Sequence, residues 1–173
     1  MGDINKVALI YGSDTGSTEH ISEIIAEKLD LKDFDFKDIY TMKPGDFTHY
    51  TKLIIGIPTW YIGELQTDWD DFFPEFKTID FTDKKVAFFG LGDQYGYPDN
   101  FLDGLGILAE VVLKNGGEVF GYWPNNGYEF NESLGIAPSG KFYGLALDED
   151  NQRDQSNDRI DEWVNQIKEE LSL

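Results

Sequence analysis

A loop rich in hydroxyl groups and glycine, GSDTGST, follows the apolar run KVALIY and precedes a segment with helical periodicity. Apolar residues at Ile21, Ile25 and Leu29 share one helical face, so a helix is predicted to begin near Thr18. A helix N-terminus leaves about four backbone N–H groups without partners and carries roughly half a positive charge. Hydroxyls and glycines at such a position favour an anion, most often a phosphate. An ordinary Ser or Thr helix cap is the alternative interpretation of the same residues.

Two further loops each present an aromatic residue among glycine and proline: Trp60 in PTWYIGEL and Tyr97 in GLGDQYGYPDNF. Tyr61 and Tyr95 add two more rings. Aromatic side chains in exposed loops are costly unless they cover a flat ligand or another protein. Two rings facing each other would hold a planar ligand, whereas the alternative is that each ring caps the core. Since the first loop lacks the lysine of a P-loop, the combined pattern favours a planar ring system with one phosphate.

Alternating strand-like and helix-like segments position these three loops. The runs KVALIY, KLIIGIP and KVAFFG are continuously apolar, which is typical of parallel strands buried on both faces, and Pro58 is expected to end the second run. DFDFKDI alternates as a half-buried edge strand, and helices are predicted from Thr18 and over 68–76, 100–117 and 158–171. This alternation predicts a doubly wound parallel α/β sheet. Ligands of such sheets bind past the carboxyl ends of the strands, where all three loops lie.

The segment from Pro124 to Gly140 is rich in Gly, Asn, Ser and Pro and separates two strand candidates, EVFGYW and KFYGLALD. It is predicted to be an insertion that interrupts the fifth strand. The chain of 173 residues has no internal repeat and no linker-like segment. A single domain over residues 1–173 is therefore expected.

The composition excludes several classes of function. The chain has no cysteine, which rules out thiolate nucleophiles, disulfides and iron–sulfur clusters, and its two histidines are too few for a histidine-rich metal site. The net charge of −19 disfavours nucleic acid and anionic membranes and favours partners with basic docking patches. Neither a membrane span nor a signal-peptide pattern is found, so a cytoplasmic protein is expected.

Competing motifs each fail at a specific position. A nucleoside triphosphatase loop needs G-x-x-x-x-G-K-[ST], and both the lysine and the spacing are missing. GLGDQYG partly matches the dinucleotide motif G-x-G-x-x-G, but Pro98 stands where the helix would run. DEDNQRD begins like a calcium-binding loop, but Arg153 occupies the glycine position of an EF-hand.

The segments YGSDTGSTE, GIPTWYIGELQTDW, GLGDQYGYPDNF and GLALDEDNQ together resemble the signature loops of the long-chain flavodoxins, and the similarity covers essentially the whole chain. This resemblance implies a five-stranded parallel sheet of order 2-1-3-4-5, with Pro124–Gly140 as the insertion that distinguishes long-chain members. It also implies noncovalently bound FMN and one-electron transfer at low potential, between the semiquinone and the hydroquinone. The implied partners are redox proteins such as ferredoxin–NADP reductase, photosystem I and nitrogenase. The protein itself is expected to be a monomer.

The resemblance also implies a role for each loop. Backbone amides and hydroxyls of the first loop would surround the FMN phosphate, through Ser13, Asp14, Thr15, Gly16, Ser17 and Thr18. Trp60 would lie against the inner face of the isoalloxazine ring, and Tyr97 would stack on its outer face. The polar edge of the ring would meet Ile62, Gly63, Asp93 and Asn100. Asp150 would reach toward the ribityl chain, and the expected site is completed by Pro58, Thr59, Tyr61 and Gly92.

Further expectations concern charge and the backbone. The carboxylate of Asp14 is expected to point to solvent while its N–H points inward. The peptide after Tyr61 is expected to turn toward the flavin N5 at a cost of about 1–3 kcal/mol, because Tyr61 must visit a strained backbone region. Carboxylates near the loops would make the final reduction difficult; they are Glu64, Asp68, Asp70, Asp71, Asp93 and Asp99.

Two other functions are compatible with this fold. An FMN-dependent NAD(P)H:quinone reductase is the alternative, although the sequence offers no second nucleotide site and no basic patch for a nicotinamide dinucleotide. A flavin-free interaction protein is the third interpretation, but it would be expected to have lost the loop hydroxyls or the aromatic residues, and both are present.

Overall fold

The structure is a computed structural model that describes residues 6–173. A parallel sheet with five strand positions forms its centre. The strand order is β2-β1-β3-β5-β6, while β4 pairs with β3 and β7 pairs with β5. The strands are β1 (Val7–Tyr11), β2 (Phe34–Asp38), β3 (Lys52–Trp60), β4 (Glu64–Leu65), β5 (Lys85–Leu91), β6 (Glu118–Phe120) and β7 (Gly144–Leu147). Counted by position, this order confirms the predicted 2-1-3-4-5 arrangement.

The fifth position of the sheet is shared by two short strands. β6 pairs in parallel with Lys85–Ala87 of β5, and β7 continues the same edge beside Phe88–Leu91. The chain between them, residues 121–143, leaves the sheet and returns. The predicted insertion in the fifth strand is therefore confirmed, and its borders lie a few residues outside the predicted ones.

Helices connect the strands and complete the layers. They are α1 (Ser17–Leu29), α2 (Thr67–Phe76), α3 (Asp103–Lys114) and α4 (Arg153–Glu170). Residues of α1 and α4 contact each other, with an ion pair between Lys28 and Asp161, and α3 packs against β3 and β5. Among residues 6–173, no helix is both long enough and apolar enough to cross a lipid bilayer.

The burial of the strands follows their sequence patterns. Every residue of β1 is buried, and so are the central residues of β3 and β5, whereas β2 is the half-exposed edge strand that its alternation predicted. The main core lies on both faces of the sheet, where α1 contributes Ile25, α3 contributes Leu108 and α4 contributes Trp163, all without exposed surface. This rigid base positions the loops at the carboxyl ends of the strands.

The prediction that Pro58 ends the second buried strand was wrong. β3 continues to Trp60, and Pro58 is paired with Leu91 of β5. The ladder between β1 and β3 ends at Gly56 and the pairing with β4 begins only at Thr59, so Pro58 lies between the two ladders. Proline is tolerated at such a position because its missing N–H leaves no acceptor unsatisfied. The longer strand carries Trp60 out to the rim of the sheet.

Candidate functional site

A cavity of about 310 Å³ lies at the carboxyl ends of β1, β3, β5 and β7, where the predicted loops meet. This volume is within the range of small-molecule pockets. Its walls are formed by Ser13, Asp14, Thr15, Ser17, Thr18, Pro58, Thr59, Trp60, Tyr61, Leu91, Gly92, Asp93, Tyr97, Glu149, Asp150 and Arg153. The structure thus brings most of the predicted residues to one place.

Four predicted residues lie beside the cavity and not in its wall: Gly16, Ile62, Gly63 and Asn100. Three wall residues were missed by the sequence reasoning, namely Leu91, Glu149 and Arg153. Leu91 ends an apolar strand and carried no chemical signal. Glu149 and Arg153 flank the predicted Asp150, so their neighbourhood in the sequence was the available clue.

The first loop ends in a helix N-terminus whose backbone donors are free. The N-cap of α1 is Gly16, in the left-handed region at φ 90°, and no side chain caps the helix. The Gly16 N–H instead donates to Ser13 Oγ at 2.9 Å. In the part of the chain that the structure describes, no hydrogen bond uses the amides of Ser13, Asp14, Thr15, Ser17 and Thr18. The alternative of an ordinary Ser or Thr cap is therefore wrong, and the free donors suit an anion.

The carboxylate of Asp14 is exposed, as expected, but it is also held by neighbouring side chains. Gln66 Nε2 donates to Asp14 Oδ1 at 2.8 Å, and the Thr67 hydroxyl donates to Asp14 Oδ2 at 3.0 Å. Gln66 is buried and is the N-cap of α2, where its side-chain oxygen accepts from the Trp69 amide. The start of α2 thus binds the acidic group of the first loop and leaves the backbone amides of that loop available.

Two aromatic residues of the cavity wall come from different loops. Trp60 and Tyr97 both line the cavity, and the exposed Tyr61 ring lies between them, 5.7 Å from the Trp60 ring and 6.4 Å from the Tyr97 ring. Trp60 Nε1 is buried and has no hydrogen-bond partner among the described residues. A buried donor of this kind costs about 1–3 kcal/mol unless a partner is supplied.

The backbone of Tyr61 is strained in the structure itself. Its φ of 45° lies in the left-handed region, which costs a non-glycine residue about 1–2 kcal/mol. The expectation that Tyr61 must first visit such a region is therefore corrected, because the strain is already present. Gly63 also has a positive φ, 86°, so the turn between β3 and β4 contains two left-handed positions.

A network of carboxylates and amides orders the far side of the cavity. Asp148 is fully buried and accepts from the Gln94 amide at 3.1 Å, from Gln94 Nε2 at 2.8 Å and from the Asn151 amide at 3.0 Å. Partial burial, together with the nearby Asp93 and Asp148 carboxylates, raises the pKa of Asp150. The sequence reasoning missed Gln94 and Asp148, since a buried amide and a buried acid look like surface residues until their partners are known.

The comparisons with known proteins agree with this geometry. The chain matches the family model described as Flavodoxin over residues 9–163. This chain belongs to the flavodoxin family. A flavodoxin from a Nostoc species is 48% identical over 168 residues, covering 97% of this chain and 98% of that relative. Flavodoxin 1 of Escherichia coli is 46% identical over 165 residues, covering 95% of this chain and 94% of that relative.

A solved structure agrees as well. The Fusobacterium nucleatum flavodoxin bound to flavin mononucleotide has a TM-score of 0.90 and 33% sequence identity, and the match covers 96% of this chain and 99% of that one. The recognition of a flavodoxin from its four loops is confirmed. Flavodoxins are electron-transfer proteins and not enzymes, so the expectation of an electron carrier is confirmed too.

The donors of this flavodoxin fit a ligand that carries both a planar ring and an anion. The free amides at the start of α1 suit the anion, and the aromatic wall suits the ring. Both parts lie in the wall of one cavity, so one ligand can contact both.

Proposed function

We propose that this chain binds FMN noncovalently in the cavity and carries single electrons between redox proteins. The observation that carries the proposal is a single cavity whose wall contains both a helix N-terminus with free backbone amides and the aromatic residues Trp60 and Tyr97. The Fusobacterium relative, which is bound to flavin mononucleotide, supports the same ligand. When bound, FMN supplies the one-electron chemistry, and the protein supplies binding, orientation and charge.

The first loop is proposed to bind the phosphate. Backbone N–H groups at the start of a helix form charge-assisted hydrogen bonds to phosphate oxygens and complement the helix dipole. The residues proposed for this role are Ser13, Asp14, Thr15, Gly16, Ser17 and Thr18. The bonds from Gln66 and Thr67 to the Asp14 carboxylate support this role, because they engage the negative group that would otherwise repel the phosphate.

The aromatic and polar residues are proposed to hold the ring system. Trp60 would lie on the inner face and Tyr97 on the outer face. The polar edge of the ring would meet Ile62, Gly63, Asp93 and Asn100, and Asp150 would face the ribityl chain. Pro58, Thr59, Tyr61 and Gly92 complete the proposed site. Burial between two aromatic rings excludes water and strengthens the electrostatic effect of nearby charges.

The acidic surface is proposed to lower the potential of the bound group. Each carboxylate near the cavity raises the free energy of any negative charge that reduction adds there. Asp93, Asp148 and Asp150 have carboxylate oxygens within 4.8 Å of one another, and Glu149 also lines the cavity. Arg153 offsets part of this field, since it lies in the wall and is close to Glu149.

An electron carrier needs redox proteins as donor and acceptor, and the finer identity of those partners is part of the proposal. The charge of −19 favours partners with a basic docking patch, reached rapidly and in a salt-dependent way. The proposed partners are ferredoxin–NADP reductase, photosystem I and other ferredoxin-dependent oxidoreductases. We further propose a monomer that acts in the cytoplasm, as the resemblance to long-chain flavodoxins implies.

Stepwise anaerobic reduction, followed by absorption spectroscopy, tests the proposal. The purified protein is first supplied with FMN and freed of excess ligand by gel filtration. Two well-separated one-electron steps are expected. A single two-electron step driven by NADPH would favour the quinone reductase instead, and failure to retain FMN would refute the binding site. The names of the curated relatives do not favour the reductase.

A further inference from the structure

A buried carboxylate outside the cavity wall connects two segments that are far apart in the sequence. Asp103 is the first residue of α3 and is only 4% exposed. Its Oδ2 accepts from Asn100 Nδ2 at 3.0 Å, and its Oδ1 accepts from the Leu134 amide at 2.7 Å. A Cβ built on Gly63 would lie 2.7 Å from the same Oδ2, so Gly63 packs directly against the carboxylate.

The insertion is seated closely on α3 at this point. A Cβ on Gly106 would meet the Leu134 carbonyl oxygen at 1.9 Å, and a Cβ on Gly135 would meet the Leu102 carbonyl oxygen at 2.8 Å. The Ser133 hydroxyl donates to the carbonyl of Phe101. Backbone therefore lies against backbone, which leaves the insertion little freedom to move relative to the start of α3.

We propose that Asp103 is a positioning residue, through which the insertion sets the positions of Gly63 and Asn100. This inference rests on the proposed function, in which these two residues meet the polar edge of the flavin ring. A carboxylate suits the role because its two oxygens accept from opposite sides at once. Its place in the first turn of α3 also stabilises a buried negative charge.

Asp103→Asn keeps the size of this side chain but changes its bonding. The carboxamide has one acceptor oxygen, so its NH₂ group must face either the Leu134 N–H, which can only donate, or the Asn100 side chain, whose carboxamide must then turn over to present its oxygen. Either the Leu134 connection is lost or the Asn100 side chain is reoriented. Gly106→Ala breaks the Leu134 connection by a different route, since the added Cβ displaces the Leu134 carbonyl without changing any charge.

Ligand titrations of the apoprotein separate ring binding from phosphate binding. The ligands are FMN, riboflavin, which lacks the phosphate, and inorganic phosphate alone. For Asp103→Asn and Gly106→Ala we expect riboflavin and FMN each to bind about ten-fold more weakly, equivalent to about 1.4 kcal/mol. The Kd for inorganic phosphate should stay unchanged. The visible circular dichroism of bound FMN should change in both variants, because it depends on how the ring is held.

A double-mutant cycle and a control complete the test. If both changes disrupt one connection, the Asp103→Asn/Gly106→Ala protein should bind riboflavin no more weakly than the weaker single variant. Gly45→Ala is the matched control, because the added Cβ would meet no atom within 4 Å. This variant should bind FMN, riboflavin and phosphate as the wild type does. Urea unfolding of each apoprotein establishes that it is folded, and Gly106→Ala still tests the idea if Asp103→Asn does not fold.

Three results would overturn the inference while leaving the proposed function intact. The variants could bind riboflavin as the wild type does, phosphate affinity could fall in parallel with riboflavin affinity, or the two single effects could multiply in the double variant. Failure of the proposed function gives a different result, because the wild-type protein would then bind neither FMN nor riboflavin.

Discussion

The unpartnered indole of Trp60 makes opposite predictions for stability and for ligand affinity. Trp60 Nε1 is buried without a hydrogen-bond partner among residues 6–173. An unsatisfied buried donor costs about 1–3 kcal/mol. Trp60→Phe removes this donor but gives up packing worth about 1 kcal/mol, because the phenyl ring is smaller. We therefore expect the free energy of unfolding of the apoprotein to stay unchanged or to rise by up to about 2 kcal/mol.

The same substitution should weaken FMN binding. Trp60 lines the cavity, and the smaller phenyl ring gives up apolar contact with the bound flavin worth about 1 kcal/mol. That loss corresponds to roughly a five-fold higher Kd. Urea unfolding measures the stability of the apoprotein, and titration with FMN, followed by the quenching of flavin fluorescence, measures the affinity.

Trp163→Phe is the matched control for this experiment. Trp163 is fully buried and does not line the cavity, and its Nε1 donates to the Gly121 carbonyl at 2.9 Å. Its replacement leaves that carbonyl without its donor, so stability should fall by about 1–3 kcal/mol while FMN affinity stays the same. The reasoning is refuted if Trp60→Phe destabilises the apoprotein as much as Trp163→Phe does and binds FMN with unchanged Kd.

Three further predictions concern potential and pH. Tyr61→Gly should raise the first one-electron potential in spectroelectrochemical titration, because glycine relieves the strain at this left-handed position and leaves the following peptide free to turn; an unchanged potential would mean that this turn does not set the potential. High salt should raise the second potential and weaken partner binding together, whereas a salt-independent potential would mean that packing sets it. Burial and the Glu19 carboxylate raise the pKa of Tyr11 to about 12, above about 10 in the unfolded chain. The fold thus favours the protonated phenol, so the unfolding free energy should fall as pH rises from 10 to 12, and Tyr11→Phe should reduce that slope in urea titrations.

The sheet was predictable from the sequence because its strands are apolar without interruption. A parallel strand buried on both faces has no solvent side, so β1, β3 and β5 read as continuous apolar runs, and β2, at the edge, alternates. The loops of the cavity were predictable for a related reason. Parallel strands place all their carboxyl ends at one rim, so loops that follow them in sequence meet in space.

Pro58 was misjudged because its effect depends on a neighbouring strand. Proline ends a strand only where its N–H would have been needed, and the ladder from β1 stops at Gly56, two residues earlier. Nothing within the segment KLIIGIP reveals where the adjacent strand ends. The same holds for Asp14, whose bonds to Gln66 and Thr67 cross more than fifty residues of sequence.

The insertion is the part of the molecule about which local patterns said least, and its contacts explain why. Two of its contacts with the third cavity loop and the start of α3 are made by backbone amides: the Glu129 N–H donates to Gln94 Oε1 at 2.6 Å, and the Leu134 N–H donates to Asp103 Oδ1 at 2.7 Å. A backbone amide leaves no signature in the residue type that bears it. The acceptors are buried polar side chains that would be costly without these donors. Gln94 and Asp103 therefore require the insertion in place, and the loops that bound the cavity depend on residues that never touch it.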